Sequence, residues 1–364
     1  MKVAIVHDWL VTNAGAEKVL KEIVSLYPDA DIFSLVDFLS DMERAEVLAG
    51  KRVTTSFIQQ LPLAHKHFRN FLPLFPKAIE SLDLSGYDLV ISSSWAVAKG
   101  VKKPQSAHHI CYCHTPIRYA WDLYDEYTAS LSQPKKFLVQ KSLAYIRKWD
   151  LATLDRVDDF IANSHFVKER IKRTYKYDAE VIYPPVNIEK FSLVKQKEDF
   201  YLTASRLVPY KKTKLIVEVF NELPHKKLVV IGAGEEYEYI KAIAKDNIQV
   251  LGYQEDAVLV DYMQKARAFI YAAVEDFGIV PVEAMACGTP VIALGIGGTA
   301  ESVVDGKTGV HFDKQNKESI KEAVTRFDSI EFDSTAIANH AQNFSSLKFQ
   351  QKFKNFVLSK TKSL

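Results

Sequence analysis

The stretch from Glu275 to Pro290 reads Glu-Asp-Phe-Gly-Ile-Val-Pro-Val-Glu-Ala-Met-Ala-Cys-Gly-Thr-Pro and carries the densest chemistry in the chain. A carboxylate accepts two hydroxyl hydrogens at once, so Glu275 is equipped to hold a polyhydroxylated ligand. Phe277, Gly278 and Ile279 read as a helix start, whose first N–H groups lack intrahelical partners and suit an anion. Gly278, without a side chain, lets an oxygen-rich ligand approach the main chain. Glu283 follows about one helical turn later, placed to grip another part of the same ligand. Upstream, the run Ser205-Arg206-Leu-Val-Pro-Tyr-Lys211 puts two fixed cations, Arg206 and Lys211, in one loop. Such a pair can clamp a diphosphate. A lone carboxylate or a lone basic loop is ordinarily solvated. An acidic and a basic loop, each following a strand-like run, point together to a ligand with hydroxyls and phosphates.

Weaker signals lie elsewhere. Asp8-Trp-Leu-Val-Thr-Asn-Ala14-Gly15-Ala16-Glu17 joins an apolar run to a helical pattern and could receive a phosphate or a sugar. It lacks G-x-G-x-x-G, and Ile231-Gly232-Ala233-Gly234 is only half of that fingerprint, so a dinucleotide is not indicated. Cys111-x-Cys113 with His114 beside it has no second ligand cluster to complete a zinc site, and a structural role fits better. Asp29-Ala-Asp31 spells a possible metal-binding D-x-D, but it precedes a strand and reads as a solvated turn. No metal and no cofactor are expected.

The elements that must position these groups follow an α/β pattern. Strands are expected at 2–7, 31–35, 88–93, 109–113, 159–162 and 180–183, with helices at 16–26 and 135–155 between them. Tyr183-Pro184-Pro185-Val186-Asn187 then breaks the pattern. It restarts with strands at 200–204, 227–231, 248–251, 268–271 and 290–293 and helices at 213–223, 235–244, 256–266, 279–286 and 299–304. Two or three helices close the chain from Lys317 onward. Alternation of this kind implies two parallel-sheet units, 1–185 and 186–345, in which ligands bind beyond the carboxyl ends of the strands.

Taken together, Arg206 and Lys211 in their loop, Glu275-x7-Glu283, Gly297-Gly-Thr-Ala-Glu301 and Asp305-Gly-Lys-Thr-Gly309 resemble the family 4 retaining glycosyltransferases of the GT-B fold. The resemblance extends into the first half through His7-Asp8-Trp9, Cys113-His114-Thr-Pro-Ile-Arg118 and Ile182-Tyr-Pro-Pro-Val186, which look most like bacterial mannosyltransferases of surface-polysaccharide assembly. It implies two facing Rossmann-like domains with an interdomain cleft, closing about Pro184-Pro185, and a last helix, about 346–364, packed back on the first domain. It also implies roles. Glu275 would hold hydroxyls of the donor sugar and Glu283 the ribose of the nucleotide. Arg206 and Lys211 would neutralise the leaving diphosphate, with the amides around Phe277, Gly278 and Ile279 in support. Gly15 would line the opposite wall, and His114 would sit close to the reacting sugar. Members of the family often carry two glycines where this chain has Ala14-Gly15; an Ala14 held at positive φ would strain that loop.

A donor of this kind needs an acceptor. Between Lys51 and Ile79 the chain has no acid, and Lys66 and Arg69 alternate with Phe71, Phe75 and other large apolar residues. With Arg118, this stretch is expected to meet a lipid-linked oligosaccharide or an anionic membrane surface. A second acid-free stretch, 127–149, carries Lys135, Lys136, Lys141, Arg147 and Lys148. The competing reading is that the apolar residues are core and the cations a solvated face. The 364 residues carry 48% hydrophobic and 25% charged side chains and a net charge of +2, which excludes disordered and disulfide-stapled classes and gives no footprint for nucleic acid. The start is unlike a signal peptide and the cysteines suit a reducing compartment, so a cytoplasmic location is expected. With the basic, apolar stretches and the resemblance, it is expected to be peripheral, on the inner face of the cytoplasmic membrane. A nucleotide-sugar epimerase, or a membrane-associated subunit that binds nucleotide sugar without turnover, are the alternatives.

Overall fold

The computed structural model describes residues 1–122 and 133–361. The chain forms two compact units, Met1–Pro184 with Phe349–Leu364, and Pro185–Lys348. The first unit is built on seven parallel strands: β1 (Val3–His7), β2 (Asp31–Ser34), β3 (Val53–Thr55), β4 (Leu89–Ser94), β5 (His108–Cys113), β6 (Asp159–Ala162) and β7 (Glu180–Val181). Their order across the sheet is β3-β2-β1-β4-β5-β6-β7. Strands such as Val-Ala-Ile-Val-His in β1 are buried along their whole length, as a parallel sheet covered by helices on both faces requires.

The second unit repeats the plan with β8 (Tyr201–Ala204), β9 (Leu228–Ile231), β10 (Ile248–Gly252), β11 (Ala268–Tyr271), β12 (Val291–Leu294) and β13 (Gly309–Phe312). Here the order is β10-β9-β8-β11-β12-β13, again all parallel. In both units the first strand lies between the second and the fourth, the doubly wound Rossmann arrangement. The crevice where the order reverses is therefore at β1/β4 in one unit and at β8/β11 in the other.

The helix Ser346–Lys360 belongs to the first unit. Phe349, Phe353 and Val357 enter a core with Ile110, Tyr112, Ile161 and Ile182. Gln350 donates to Glu22 at 2.6 Å, and Lys360 pairs with Asp159 at 2.6 Å.

Two strands were absent from the expected set. β3 is a three-residue edge strand, Val-Thr-Thr, with no fully buried side chain to announce it. β13 begins with a glycine that only glycine can fill, since a Cβ on Gly309 would lie 1.9 Å from the Val291 carbonyl oxygen. The helix Asp41–Leu48 was also unforeseen; Ser40 caps it and Glu43 bonds back to the Ser40 N–H. Its mostly polar face hides the helical period.

Candidate functional site

The site in the second unit forms where the sheet order reverses. The loop after β8 carries Arg206 and Lys211, and the loop after β11 carries Glu275. Lys211 Nζ lies 2.5 Å from Glu275 Oε1 and 3.0 Å from the Tyr271 hydroxyl, which itself donates to Glu275 Oε1 at 3.3 Å. Burial works against the Lys211 charge, but the Tyr271 and Glu275 groups beside it hold its pKa above the ordinary lysine value. Burial, with the Glu275 charge, likewise pushes the Tyr271 phenol up. At neutral pH the Lys211 ammonium and the neutral Tyr271 phenol both contact Glu275 Oε1. Arg206 is exposed on the same loop and makes no ion pair among the described residues.

Glycines set the geometry of both loops. Gly297 pairs with Glu275 in an isolated β-bridge, and Gly298 donates its N–H to the Glu275 carbonyl at 2.8 Å. A Cβ on Gly298 would come within 2.1 Å of Phe277 Cα, so the Glu275 loop lies directly on bare main chain. Gly278 adopts φ +86 at the entrance to the helix Ile279–Ala286. Glu283 is buried one turn into that helix. The Phe277 ring turns inward against Phe344 at 5.5 Å, leaving its main chain as the part that can meet a ligand. The half fingerprint has a structural use: a Cβ on Gly232 would lie 1.9 Å from the Ser205 carbonyl oxygen, and Leu207 donates to Ala233 at 2.9 Å. Gly232-Ala233-Gly234 thus packs directly under the Arg206 loop and supports it.

In the first unit the corresponding crevice is occupied by the chain's own carboxylate. Buried Asp8 accepts four main-chain N–H groups: Trp95 and Ala96 at 2.6 and 2.8 Å on Oδ2, Val97 and Ala98 at 2.6 and 2.7 Å on Oδ1. Burial raises its pKa, against the pull of those bonds. Ala14, at φ −122, is extended, so the loop before Gly15 carries none of the strain that a positive φ would impose. Gly15 opens the helix Gly15–Leu26, and Glu17 accepts the Ala14 N–H at 3.1 Å. His114 follows β5 and its Nε2 lies 2.8 Å from Ser93 Oγ. Burial and the neighbouring His7 lower its pKa to about 3, so the ring is neutral. His7 is itself buried and edge-on to Trp95 at 4.9 Å, and neither of its ring nitrogens has a hydrogen-bond partner among the described residues.

The expected acceptor residues divide. Arg69, Phe75 and Arg118 line one cavity of about 460 Å³ in the first unit, together with Trp9 and Trp95. Phe75, however, is only 1% exposed and packs with Phe68 and Trp9, so its assignment to a bilayer-facing surface is corrected: it is a core side chain seen from inside the cavity. Phe71 is half-buried against the same core, and Lys66 is exposed and outside the cavity lining. The beginning of the stretch 127–149, including the Lys135 side chain, and residues 362–364 lie outside the described residues. Asp29 and Asp31 are exposed at the start of β2, where Asp31 accepts the Tyr87 hydroxyl at 2.7 Å, away from the strands' carboxyl ends. The cysteines Cys111, Cys113 and Cys287 are buried thiols. Tyr271 and Asp8 were not foreseen as members of the two crevices. Tyr271 reads as the end of a strand. The amides that hold Asp8 lie 87 and more residues away.

The family model for group 1 glycosyl transferases matches residues 186–344, and that for Glycosyltransferase Family 4 matches residues 14–190. An uncharacterized glycosyltransferase of Methanocaldococcus jannaschii is 31% identical over 174 residues, 46% of this chain and 48% of the relative. The O-antigen chain mannosyltransferase RfbU of Salmonella typhimurium is 26% identical over 216 residues, 54% of this chain and 60% of the relative. The chain therefore spans about half to three-fifths of the length of these curated relatives. Among solved structures, Anabaena HepE in complex with UDP superposes with a TM-score of 0.70 at 18% identity, covering 99% of this chain and 100% of that one. Two Rossmann-like sheets of the same strand order, matched in succession by these two models, identify the chain as a GT-B glycosyltransferase of family 4.

Proposed function

We propose that the protein is a retaining glycosyltransferase moving a hexose, mannose from GDP-mannose in the first instance, to a lipid-linked glycan in surface-polysaccharide assembly. The observation that carries the proposal is the Lys211–Glu275–Tyr271 contact at the β8/β11 crevice, with the Arg206 guanidinium exposed on the same loop. Mannose rests on the likeness to the O-antigen chain mannosyltransferase.

In this scheme the diphosphate meets Arg206 and Lys211, and Glu275 exchanges its lysine partner for sugar hydroxyls. Glu283 takes the ribose, and the amides at Phe277, Gly278 and Ile279 face the phosphates and the sugar. Breaking the bond from anomeric carbon to phosphate oxygen leaves negative charge on the departing nucleoside diphosphate, where the two cations stabilise it. The acceptor hydroxyl forms its bond on the same face of the sugar and gives its proton to the departing phosphate oxygen. The two cations supply the charge that a metal would otherwise bring. In the first unit, Gly15 and a neutral His114, a fixed hydrogen-bonding group, are the residues proposed to serve the sugar.

The anionic inner face of the cytoplasmic membrane is the proposed place of action. Lys66 and Arg69 are exposed in the same segment as exposed Leu63 and Leu74, and Lys141 sits over the Phe137 ring at 4.4 Å, with exposed Leu138 next in the chain to Phe137. Such mixed basic and apolar surface favours anionic lipid.

Titration with GDP-mannose, GDP-fucose, UDP-glucose and UDP-galactose, followed by transfer assays, tests the donor. GDP-mannose should bind at least tenfold tighter than the UDP sugars, and Glu275→Ala should abolish transfer while the protein stays folded. A preference for UDP-glucose would favour the second reading, a UDP-hexose donor, which the likeness to the UDP-bound Anabaena protein supports. Conversion of the donor with no acceptor present would mark an epimerase. Full transfer by Glu275→Ala would remove the central assignment.

A further inference from the structure

The cavity of the first unit opens at strand ends. Trp9 follows β1 by two residues, Trp95 follows β4 directly, and Thr115 lies two residues past β5, next to His114. The four amides that would receive an anion at this crevice are already taken by Asp8. A charged ligand here must therefore be met by side chains, and the described lining residues supply two cations, Arg69 and Arg118, with no carboxylate among those described residues. Arg69 is exposed and held over the Phe68 ring at 4.9 Å. The other walls are apolar: Leu72 and Phe75 on one segment, Val139 and Leu143 on the helix Gln133–Ala152. Its volume of about 460 Å³ lies in the range of small-molecule sites.

The walls are held by a buried polar frame. Lys99 and Asp150 form an ion pair at 2.8 Å with side chains 2% and 0% exposed. Asp150 also accepts Trp121 Nε1 at 2.8 Å and the Tyr175 hydroxyl at 2.9 Å. This ties the helix bearing Val139 and Leu143 to the turn bearing Arg118. A buried charge pair satisfied on this many sides fixes one arrangement of the elements around it.

We propose that this cavity holds the lipid end of the acceptor: a phosphate or diphosphate head between Arg69 and Arg118, and the first units of its apolar chain against Leu72, Phe75, Val139 and Leu143. The proposal rests on the reading of the acceptor as lipid-linked, and is independent of the donor's identity. Charge complementarity and the apolar walls select an amphiphile over a free anion, because a free anion would leave most of the lining without a partner.

The test titrates the full chain with farnesyl diphosphate, following tryptophan fluorescence, with inorganic pyrophosphate and farnesol as the separate halves of the probe. Farnesyl diphosphate should saturate, and each half alone should bind at least tenfold more weakly. Arg118→Gln should weaken it tenfold or more, and Val139→Trp, which fills the cavity, should abolish it. Leu143→Phe provides a milder filling variant, and an unchanged titration with nucleotide sugar shows that either variant is folded. Pyrophosphate binding as tightly as farnesyl diphosphate would make this a free-phosphate site and overturn the proposal. So would farnesol binding as tightly, or binding unchanged in the filled variants. Transfer confined to soluble glycans, with farnesyl diphosphate still bound in the cavity, would instead refute the lipid-linked reading and leave the cavity assignment supported.

Discussion

Lys211, Glu275 and Tyr271 show how a site can be neutral and reactive at once. The Lys211 and Glu275 side chains are 16% and 18% exposed, so each is largely withdrawn from water and depends on the other. Removing Lys211 deletes a cation expected to face the leaving phosphate and leaves Glu275 without its partner. Lys211→Ala should lower kcat/KM by roughly 100- to 1,000-fold, the usual effect of losing one preorganised group that meets developing charge. Tyr271→Phe removes one neutral hydrogen-bonding group, with a net value near 1 kcal/mol, and should cost about fivefold. Steady-state kinetics on both variants checks the ranking; a larger effect from Tyr271→Phe would contradict it. Glu275 and Lys211 stood out in the sequence because an acidic and a basic loop each follow a strand-like run. Tyr271 did not, because its aromatic ring is what the strand β11 needs in any case.

At the level of elements, the Glu275 loop and the Gly297-Gly298 segment are one construction. The carbonyl of Glu275 accepts from Gly298, and a bare main chain is what allows the contact. Gly298→Ala should cost about 1–3 kcal/mol through overpacking and weaken donor binding more than tenfold. Gly306 has φ +73 with nothing within 4 Å of a new Cβ, so Gly306→Ala should cost only about 1 kcal/mol of backbone strain and leave donor binding intact. Thermal melts and nucleotide-sugar titrations of the pair separate the two effects. Equal loss of donor binding would show that the close approach at Gly298 does not hold the loop.

The order of strands and helices was legible in the apolar runs, and with it both switch-point crevices. β3 and β13 escaped because one is too short and too exposed, and the other starts on a glycine kept for packing. Phe75 shows a further limit. An aromatic residue among cations reads equally as surface or core, and only the packing of Phe68 and Trp9 around it decides.

For the molecule as a whole, buried histidines set the response to acid. His109 is fully buried, bonded to Ser92 Oγ at 2.7 Å and to the Arg156 carbonyl at 2.8 Å, and burial lowers its pKa to about 4 from 6.5. His114 behaves alike. Between pH 6.5 and about 4 the unfolded chain takes up protons at His109 that the folded chain refuses, so stability falls with pH across that window. His109 alone should account for roughly 3 kcal/mol by the lower end. Urea unfolding at pH 7, 5.5 and 4.5 measures the slope. His109→Gln should flatten it, and an undiminished slope in that variant would place the acid sensitivity elsewhere.

The helix Ser346–Lys360 has a consequence for the order of events during synthesis. Its phenylalanines complete the core around Tyr112 and Ile161, yet they leave the ribosome only after all of Pro185–Lys348 has emerged. The first unit, although translated first, must wait with an apolar groove open while the second unit folds as an insert within it. At about 5–20 residues per second that wait lasts on the order of ten seconds or more, a period in which a chaperone would find its binding surface on the half that was made earlier.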